Sequence, residues 1–187
     1  MKIIGLAGTA GSGKDTAADM ICEHFGAHNF HTSEYVRAIT RFLFDLPPDS
    51  SPVRDQLYEV ANALRSLHQA STVEMGIVQA KERGFDIQLI SGLRSVGEAD
   101  AVRAAGGIII GVDADPKIRH ERIQSRARDA ESKRTYEEFL EQDTHENAGI
   151  GDGQSRGIRS IIDEADIIIR NEGTLDDLKQ QIQALTF

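Results

Sequence analysis

Apolar residues along this chain follow two patterns that alternate. Short runs, near-continuous in branched aliphatics, occur at Ile3 to Ala7, Phe85 to Ile90, Ile108 to Val112 and Asp166 to Ile169. Their length and β-branched content predict strands, and their lack of strict alternation predicts strands buried on both faces. A shorter run, Ala27 to His31, predicts a fifth. Between them the apolar positions recur at helical spacing. Examples are Ala17, Ala18, Met20 and Ile21; Tyr35, Val36, Ile39, Phe42 and Leu43; and Leu57, Val60, Ala61, Leu64 and Leu67. Leu175, Leu178, Ile182 and Leu185 give the last helix an inward stripe.

Punctuation sharpens these boundaries. Gly26 and Gly84 close helices, and Gly106-Gly107 closes another. Thr32-Ser33 is expected to cap the second helix. Leu46-Pro47-Pro48-Asp49 is a break, after which Ser51-Pro52 restarts a helix, with serine as cap and proline in its first turn. Ser71 with Glu74, and Ser95 with Glu98, read as capping boxes; Asp115-Pro116 and Thr135 to Glu138 cap two more helices. Five strands alternating with helices, without hairpin signals, predict a parallel sheet with right-handed crossovers, whose ligands gather at the carboxyl ends of the strands. The helical excursion from Thr32 to Gly84 is the one large departure from that alternation.

Composition narrows the class. At 187 residues, with 40% hydrophobic and 27% charged residues, the chain suits one domain with a substantial core. No apolar run approaches the ~20 residues that span a bilayer, and the sequence carries no signal peptide pattern. Cys22 is the single cysteine, so no internal disulfide forms, which fits a reducing cytoplasm. A formal charge of −9 argues against a nucleic-acid binder, which needs a basic face. Any phosphate site must therefore be built from local arginines.

The first strand runs into Gly8-Thr9-Ala10-Gly11-Ser12-Gly13-Lys14-Asp15-Thr16 and then a helix. Strand, glycine loop, lysine and helix are the parts of a phosphate-binding loop: backbone N–H groups wrap an oligophosphate and the helix N-terminus faces it. Gly8, Gly13 and Lys14 fit G-x-x-x-x-G-K-S/T, but Asp15 stands where the hydroxyl belongs and Thr16 follows it. Two readings of Asp15 stay open: a ligand or orienter of Mg²⁺, which prefers oxygen, or an acidic residue favoured by the helix dipole. Arg119, Arg122 and Arg126 share one helix face, and Arg128, Lys133 and Arg134 extend them into a polar segment. Convergent arginines stabilise a phosphoryl group in flight; the other reading is a solvated face paired with Glu121, Asp129 and Glu131. Arg37 and Arg94 follow strand ends, where each could hold a second substrate's phosphate.

The order of phosphate loop, S-x-x-x-R, helical insertion, strand then G-x-R, R-x-x-R-x-x-x-R and final A-D-I-I-I-R-N-E-G-T resembles the nucleoside monophosphate kinases, and within them the adenylate-kinase-related and dephospho-CoA-kinase-like branch. The resemblance covers nearly the whole chain. It implies a three-layer P-loop NTPase fold in one domain, 1–187, with a helical acceptor-binding insertion at 32–84 and a short arginine-rich lid at 122–135. It further implies that Gly8, Ala10, Gly11, Ser12, Gly13, Lys14, Asp15 and Thr16 bind ATP, with Asn171 and Gly173 near the donor base. Asp15 and Thr16 would hold Mg²⁺. Ser33, Arg37 and Arg94 would hold the acceptor phosphate, and Lys14, Arg94, Arg122, Arg126 and Arg128 would act on the phosphoryl group. The expected protein is a cytoplasmic monomer or homodimer acting on small nucleotides, with neither nucleic acid nor membrane as partner. The departures are Asp15, Ser91 where the family often has Asp, Gln142-Asp143 where relatives often show Arg-Asp, and an inserted loop from Asp152 to Gly157. Acceptor selectivity is expected within the insertion, with Tyr58, Asn62, Arg65 and Gln69 as polar candidates. The alternatives are phosphorylation of the ribose hydroxyl of dephospho-CoA, a regulatory ATPase acting on a macromolecular partner, and a nucleotide-binding module without turnover.

Overall fold

The computed structural model describes residues 1–68, 70–126, 134–148 and 157–187. At its centre are strands β1 (Lys2–Gly8), β2 (His28–His31), β3 (Ile87–Leu93), β4 (Ile108–Asp113) and β5 (Ile167–Arg170). They form one parallel sheet of order β2-β3-β1-β4-β5. The helices are α1 (Lys14–Phe25), α2 (Thr32–Leu43), α3 (Arg54–Leu67), α4 (Ser71–Arg83), α5 (Val96–Ala104), α6 (Pro116–Arg126), α7 (Tyr136–Ala148), α8 (Ile158–Asp163) and α9 (Leu175–Gln183).

Because successive strand residues point to opposite faces, the central strands feed two cores. Ile4, Leu6, Leu89, Ile110 and Ile169 pack on one side against Ala17, Ala18 and Ile21 of α1 and Leu178 and Ile182 of α9. Ile3, Ala7, Ile90 and Ile109 pack on the other against Val73 and Ile77 of α4, Val102 of α5 and Ile161 and Ile162 of α8. The result is the expected five-stranded parallel sheet flanked by helices. Ile161 and Ile162, which the apolar pattern leaves without an element, belong to the short helix α8.

At the carboxyl end of the sheet β3 carries a bulge. Leu6 lies opposite Ser91 but Ala7 lies opposite Leu93, so Gly92 is an extra residue, at φ +93. A Cβ on Gly92 would come 2.7 Å from Thr32 Oγ1. That hydroxyl donates to the carbonyls of Ser91 (3.2 Å) and Gly92 (2.9 Å). Thr32 therefore fastens α2 to the bulge instead of capping its own helix, whose N-cap is His31.

Other boundaries differ for similar reasons. Helix α3 begins at Arg54 behind Val53, leaving Ser51-Pro52 in the preceding turn. Ser71 lies inside α4, whose N-cap is Ala70; Glu74 pairs with His68 and Thr72 with Glu98, so no capping box forms there. The Ser95–Glu98 box does form, as do the caps from Asp115 and Thr135. Leu67 (83% exposed) and Leu175 (66%) lie outside the core that their spacing predicted.

Ile110 is fully buried in β4, whereas Phe42 at the end of α2 is 85% exposed. Ile110→Ala is expected to lower unfolding free energy by about 2–5 kcal/mol, and Phe42→Ala to change it by no more than about 0.5 kcal/mol. Urea denaturation of both variants checks the contrast.

Candidate functional site

The glycine loop leaves β1 between β3 and β4, at the point where the strand order reverses. Gly11 (φ +79) and Gly13 (φ +88) hold left-handed backbone. A Cβ on Gly11 would lie 2.6 Å from the Arg119 carbonyl oxygen, and one on Gly13 would collide with Asn171 Nδ2. Asn171 itself donates to the Ser12 carbonyl (2.8 Å), and its N–H donates to the Asp113 carbonyl (2.8 Å). Asn171 thus locks the loop, with its side-chain amide spent on Ser12.

Arg119 secures the other flank. Its guanidinium is almost wholly buried and donates to the carbonyls of Ala114 (3.1 Å) and Ala10 (3.2 Å). It also donates to both Asp143 oxygens, at 2.6 and 2.7 Å, and lies over the Phe139 ring. The residue at the head of the arginine stripe is therefore a structural joint, and Asp143 is its counterion. Arg122 is likewise engaged, donating to the carbonyls of Asn171 (2.9 Å) and Gly173 (3.5 Å). Together with Arg126, Ser125, Gly13, Thr16 and Leu175 these residues line a cavity of about 270 Å³. Arg126 is exposed on its rim. Arg128 and half of the expected lid, residues 127–133, lie outside the described residues, as does Gln69.

On the opposite flank, Lys14 donates its ammonium proton to Asp15, whose Oδ1 is also 3.5 Å from His31 Nε2. His31, the largest influence, holds the Asp15 carboxyl far below the usual carboxylate range; burial opposes it and Lys14 reinforces it. Ser33 Oγ is 3.1 Å from His31 Nδ1. Thr16 faces the cavity while Asp15 faces β2, so the expected pair of metal residues is split between two sides of α1. Among the described residues, Thr9 Oγ1, Ser12 Oγ and Ser91 Oγ are buried without a hydrogen-bond partner. No group of three or more His, Cys, Asp or Glu side chains there could hold a metal. One carboxylate and buried hydroxyls fit a hard cation that takes its remaining ligands from phosphate and water, as Mg²⁺ does.

Beyond the bulge, Arg94 is exposed at the end of β3. Its backbone N–H donates to Glu98 Oε2 at 2.6 Å, and Ser95 N–H shares that oxygen (3.2 Å). Glu98 is 3% exposed, and burial raises its pKa against these bonds and the nearby Arg65. Arg65, half-buried on α3, donates to Asn62 Oδ1 (2.9 Å). Desolvation lowers its pKa, Glu98 opposes that, and the neighbouring Arg94 charge adds to it. Two guanidinium groups are thus held within electrostatic reach of each other over a carboxylate whose oxygens are already occupied. Arg37 instead has Glu34, one turn earlier on α2, at 3.4 Å.

Comparison with known proteins places the chain. No protein-family model matches it. A UPF0200 protein of Aeropyrum pernix is 31% identical over 179 residues, spanning 95% of this chain and 88% of that protein. The chain belongs to the UPF0200 family. A UPF0200 protein of Saccharolobus islandicus is 28% identical over 190 residues, covering 100% of this chain and 93% of its own length. Among solved structures, a gluconokinase from Sinorhizobium meliloti superposes with TM-score 0.53 at 14% identity, over 98% of this chain and 90% of that one. A shikimate kinase from Bacteroides thetaiotaomicron gives 0.52 at 12% identity, over 97% and 94%. The fold of this UPF0200 member is thus that of the P-loop kinases. No helix among its described residues is long and apolar enough to cross a membrane.

Sequence reasoning placed the loop and Arg94 correctly at the carboxyl end of the sheet. It missed His31 as a partner of Asp15 and the locking roles of Asn171 and Arg119. The capping-box spacing revealed Glu98 but not its burial. Asp143→Asn is expected to leave the buried Arg119 charge without a counterion, with one acceptor oxygen in place of two. It should cost about 3–5 kcal/mol, read by urea denaturation, and should weaken nucleotide binding through the Ala10 contact.

Proposed function

We propose that this protein transfers the γ-phosphoryl group of Mg-ATP to a nucleoside monophosphate. The observation that carries the reading is a second cationic site, Arg94 with Arg65, beyond the Gly92 bulge and separate from the cavity lined by Arg122 and Arg126. Two guanidinium groups within electrostatic reach of each other, sharing one buried carboxylate, Glu98, whose oxygens are already engaged, attract an anion. A phosphate loop supplied with its own arginines has no need of that pair for its donor; an acceptor carrying a phosphate does. Glu98 is the positioning residue, fixing the turn from which Arg94 projects.

In this reading the loop N–H groups and Lys14 hold the donor's phosphates, and the cavity beside Thr16, Arg122 and Gly173 takes its nucleoside. Asp15 would hold Mg²⁺, which would supply neutralising charge for the outer phosphates. Arg126 supplies positive charge at the rim. Catalysis is then mostly positioning and charge stabilisation, since an ionised phosphate acceptor needs little base help.

A second reading, a regulatory ATPase acting on a macromolecule, is favoured by the exposed apolar residues Phe42 (85%) and Leu43 (62%) at the end of α2. One assay separates the two. ADP release from Mg-ATP is measured against all ribo- and deoxyribonucleoside monophosphates, dephospho-CoA, gluconate and shikimate. Strong stimulation by one monophosphate is expected. Acceptor-independent hydrolysis would favour the ATPase, and stimulation only by a phosphate-free acceptor would remove the role given to Arg65 and Arg94.

Two variants sharpen the test. Lys14→Ala should abolish turnover. Arg94→Ala and Arg65→Gln should each raise acceptor KM about tenfold or more while leaving ATP KM nearly unchanged. Steady-state kinetics with both substrates varied distinguishes these effects.

A further inference from the structure

The phosphate loop departs from its usual chemistry at two positions, and the departures are reciprocal. In P-loop enzymes the metal is held by a hydroxyl after the loop lysine and by an aspartate on a neighbouring strand. Here the residue after Lys14 is Asp15, and a hydroxyl, Ser91, lies near the carboxyl end of β3 where the resembling kinases often carry aspartate. The fold brings both to one corner. Ser91 lies opposite His31 in the sheet, and His31 Nε2 is 3.5 Å from Asp15 Oδ1. Ser91 Oγ is fully buried with no hydrogen-bond partner among the described residues.

The exchange alters what happens before nucleotide binds. A hydroxyl after the lysine would leave Lys14 free to meet phosphate. Asp15 instead engages Lys14 directly, and Lys14 is largely shielded, its side chain 17% exposed. A nucleotide arriving without a cation meets an occupied lysine and a fixed negative charge at the loop's mouth. Asp15 is 65% exposed, so its repulsion of an incoming phosphate is moderate and falls as salt rises. A divalent cation removes both obstacles, because the carboxylate that releases Lys14 becomes a ligand.

We propose that Asp15 is a divalent-cation gate on nucleotide entry: it holds Lys14 until a metal–nucleotide complex arrives, then yields the lysine to the phosphates as it turns to the metal, with the Ser91 hydroxyl completing that side of the site. This rests on the reading of the glycine loop as a nucleotide site, but not on the identity of the acceptor. Metal is thereby required for binding as well as for turnover.

The test is calorimetric titration of the full-length protein with ATP, in excess EDTA and in excess Mg²⁺, without acceptor. Wild type is expected to bind at least about tenfold more tightly with Mg²⁺. Asp15→Asn, close to isosteric, should bind metal-free ATP more tightly than wild type and lose most of the Mg²⁺ dependence. Ser91→Ala should weaken binding in Mg²⁺ and leave binding in EDTA unchanged. Far-UV circular dichroism and thermal melting confirm that each variant is folded. An unaltered Mg²⁺ dependence in Asp15→Asn overturns the gate, as does equal binding by wild type in EDTA and Mg²⁺. Absence of ATP binding in both conditions overturns the gate and the kinase reading together. The expected metal dependence without any stimulating acceptor sinks only the kinase reading.

Discussion

The buried Arg119–Asp143 pair is the joint on which the phosphate loop depends. A loop of glycines has little intrinsic preference for one conformation, so something outside it must fix its path. Arg119 does this twice: its guanidinium donates to the Ala10 carbonyl, and its backbone carbonyl packs where a Cβ of residue 11 would be. A guanidinium so deeply buried is tolerable only with its donors met, and Asp143, Ala114 and Ala10 meet them. The same contact ties α7 to α6 and β1. Any movement of the helices that follow β4 is therefore felt at the loop. Asn171 repeats the device from β5, with an amide in place of a charge.

In a chain of net charge −9 the placing of each arginine decides where positive potential survives. Its arginines are not interchangeable surface cations. Arg119 is neutralised and buried. Arg159 and Arg170 both donate to Asp113 at 2.7 and 2.8 Å, and Arg122 is spent on carbonyls. Arg94, with Arg65 near it, and Arg126 on the cavity rim have no ion pair to a carboxylate among the described residues. The acidic residues thus sort the arginines. Those given a carboxylate or carbonyl partner build structure, and those left without one set the local potential.

How much of this was legible in the sequence follows from the range of the interactions. The loop, the strands and the Ser95–Glu98 cap are local patterns, and they appear as expected because apolar runs and caps are decided within a few residues. Thr32 and Ser71 looked like caps and are not, because Ser91, Gly92 and Leu64 lie close in space and offer their hydroxyls other acceptors. The arginine stripe was visible as spacing, yet spacing could not say that Arg119 would meet Asp143, 24 residues away. The helical period placed Leu67 and Leu175 on apolar faces; whether another element covers a given position of such a face is a tertiary matter, and among the described residues these two stay exposed. His31 gave no signal at all, since nothing in an isolated H-T-S marks the approach of Asp15.

The strand order itself divides the labour around the loop. From β1 the chain goes first to β2 and β3 on one side and only then crosses to β4 and β5 on the other, so the loop sits where the sheet's connections diverge. Everything contributed by β2, β3 and the helices between them, namely His31, Ser33, Arg65 and Arg94, falls on the Asp15 side of α1. Everything contributed by β4, β5 and α6, namely Arg122, Asn171 and Gly173, falls on the Thr16 side. Two consecutive residues of one helix turn therefore face two different ligand environments. Replacing a hydroxyl by a carboxylate at residue 15 changes the charge on the β2–β3 side and leaves the cavity beside Thr16 as it was. That is why the loop can depart from its usual pattern at that position and still keep the fold and the glycine geometry of a phosphate site.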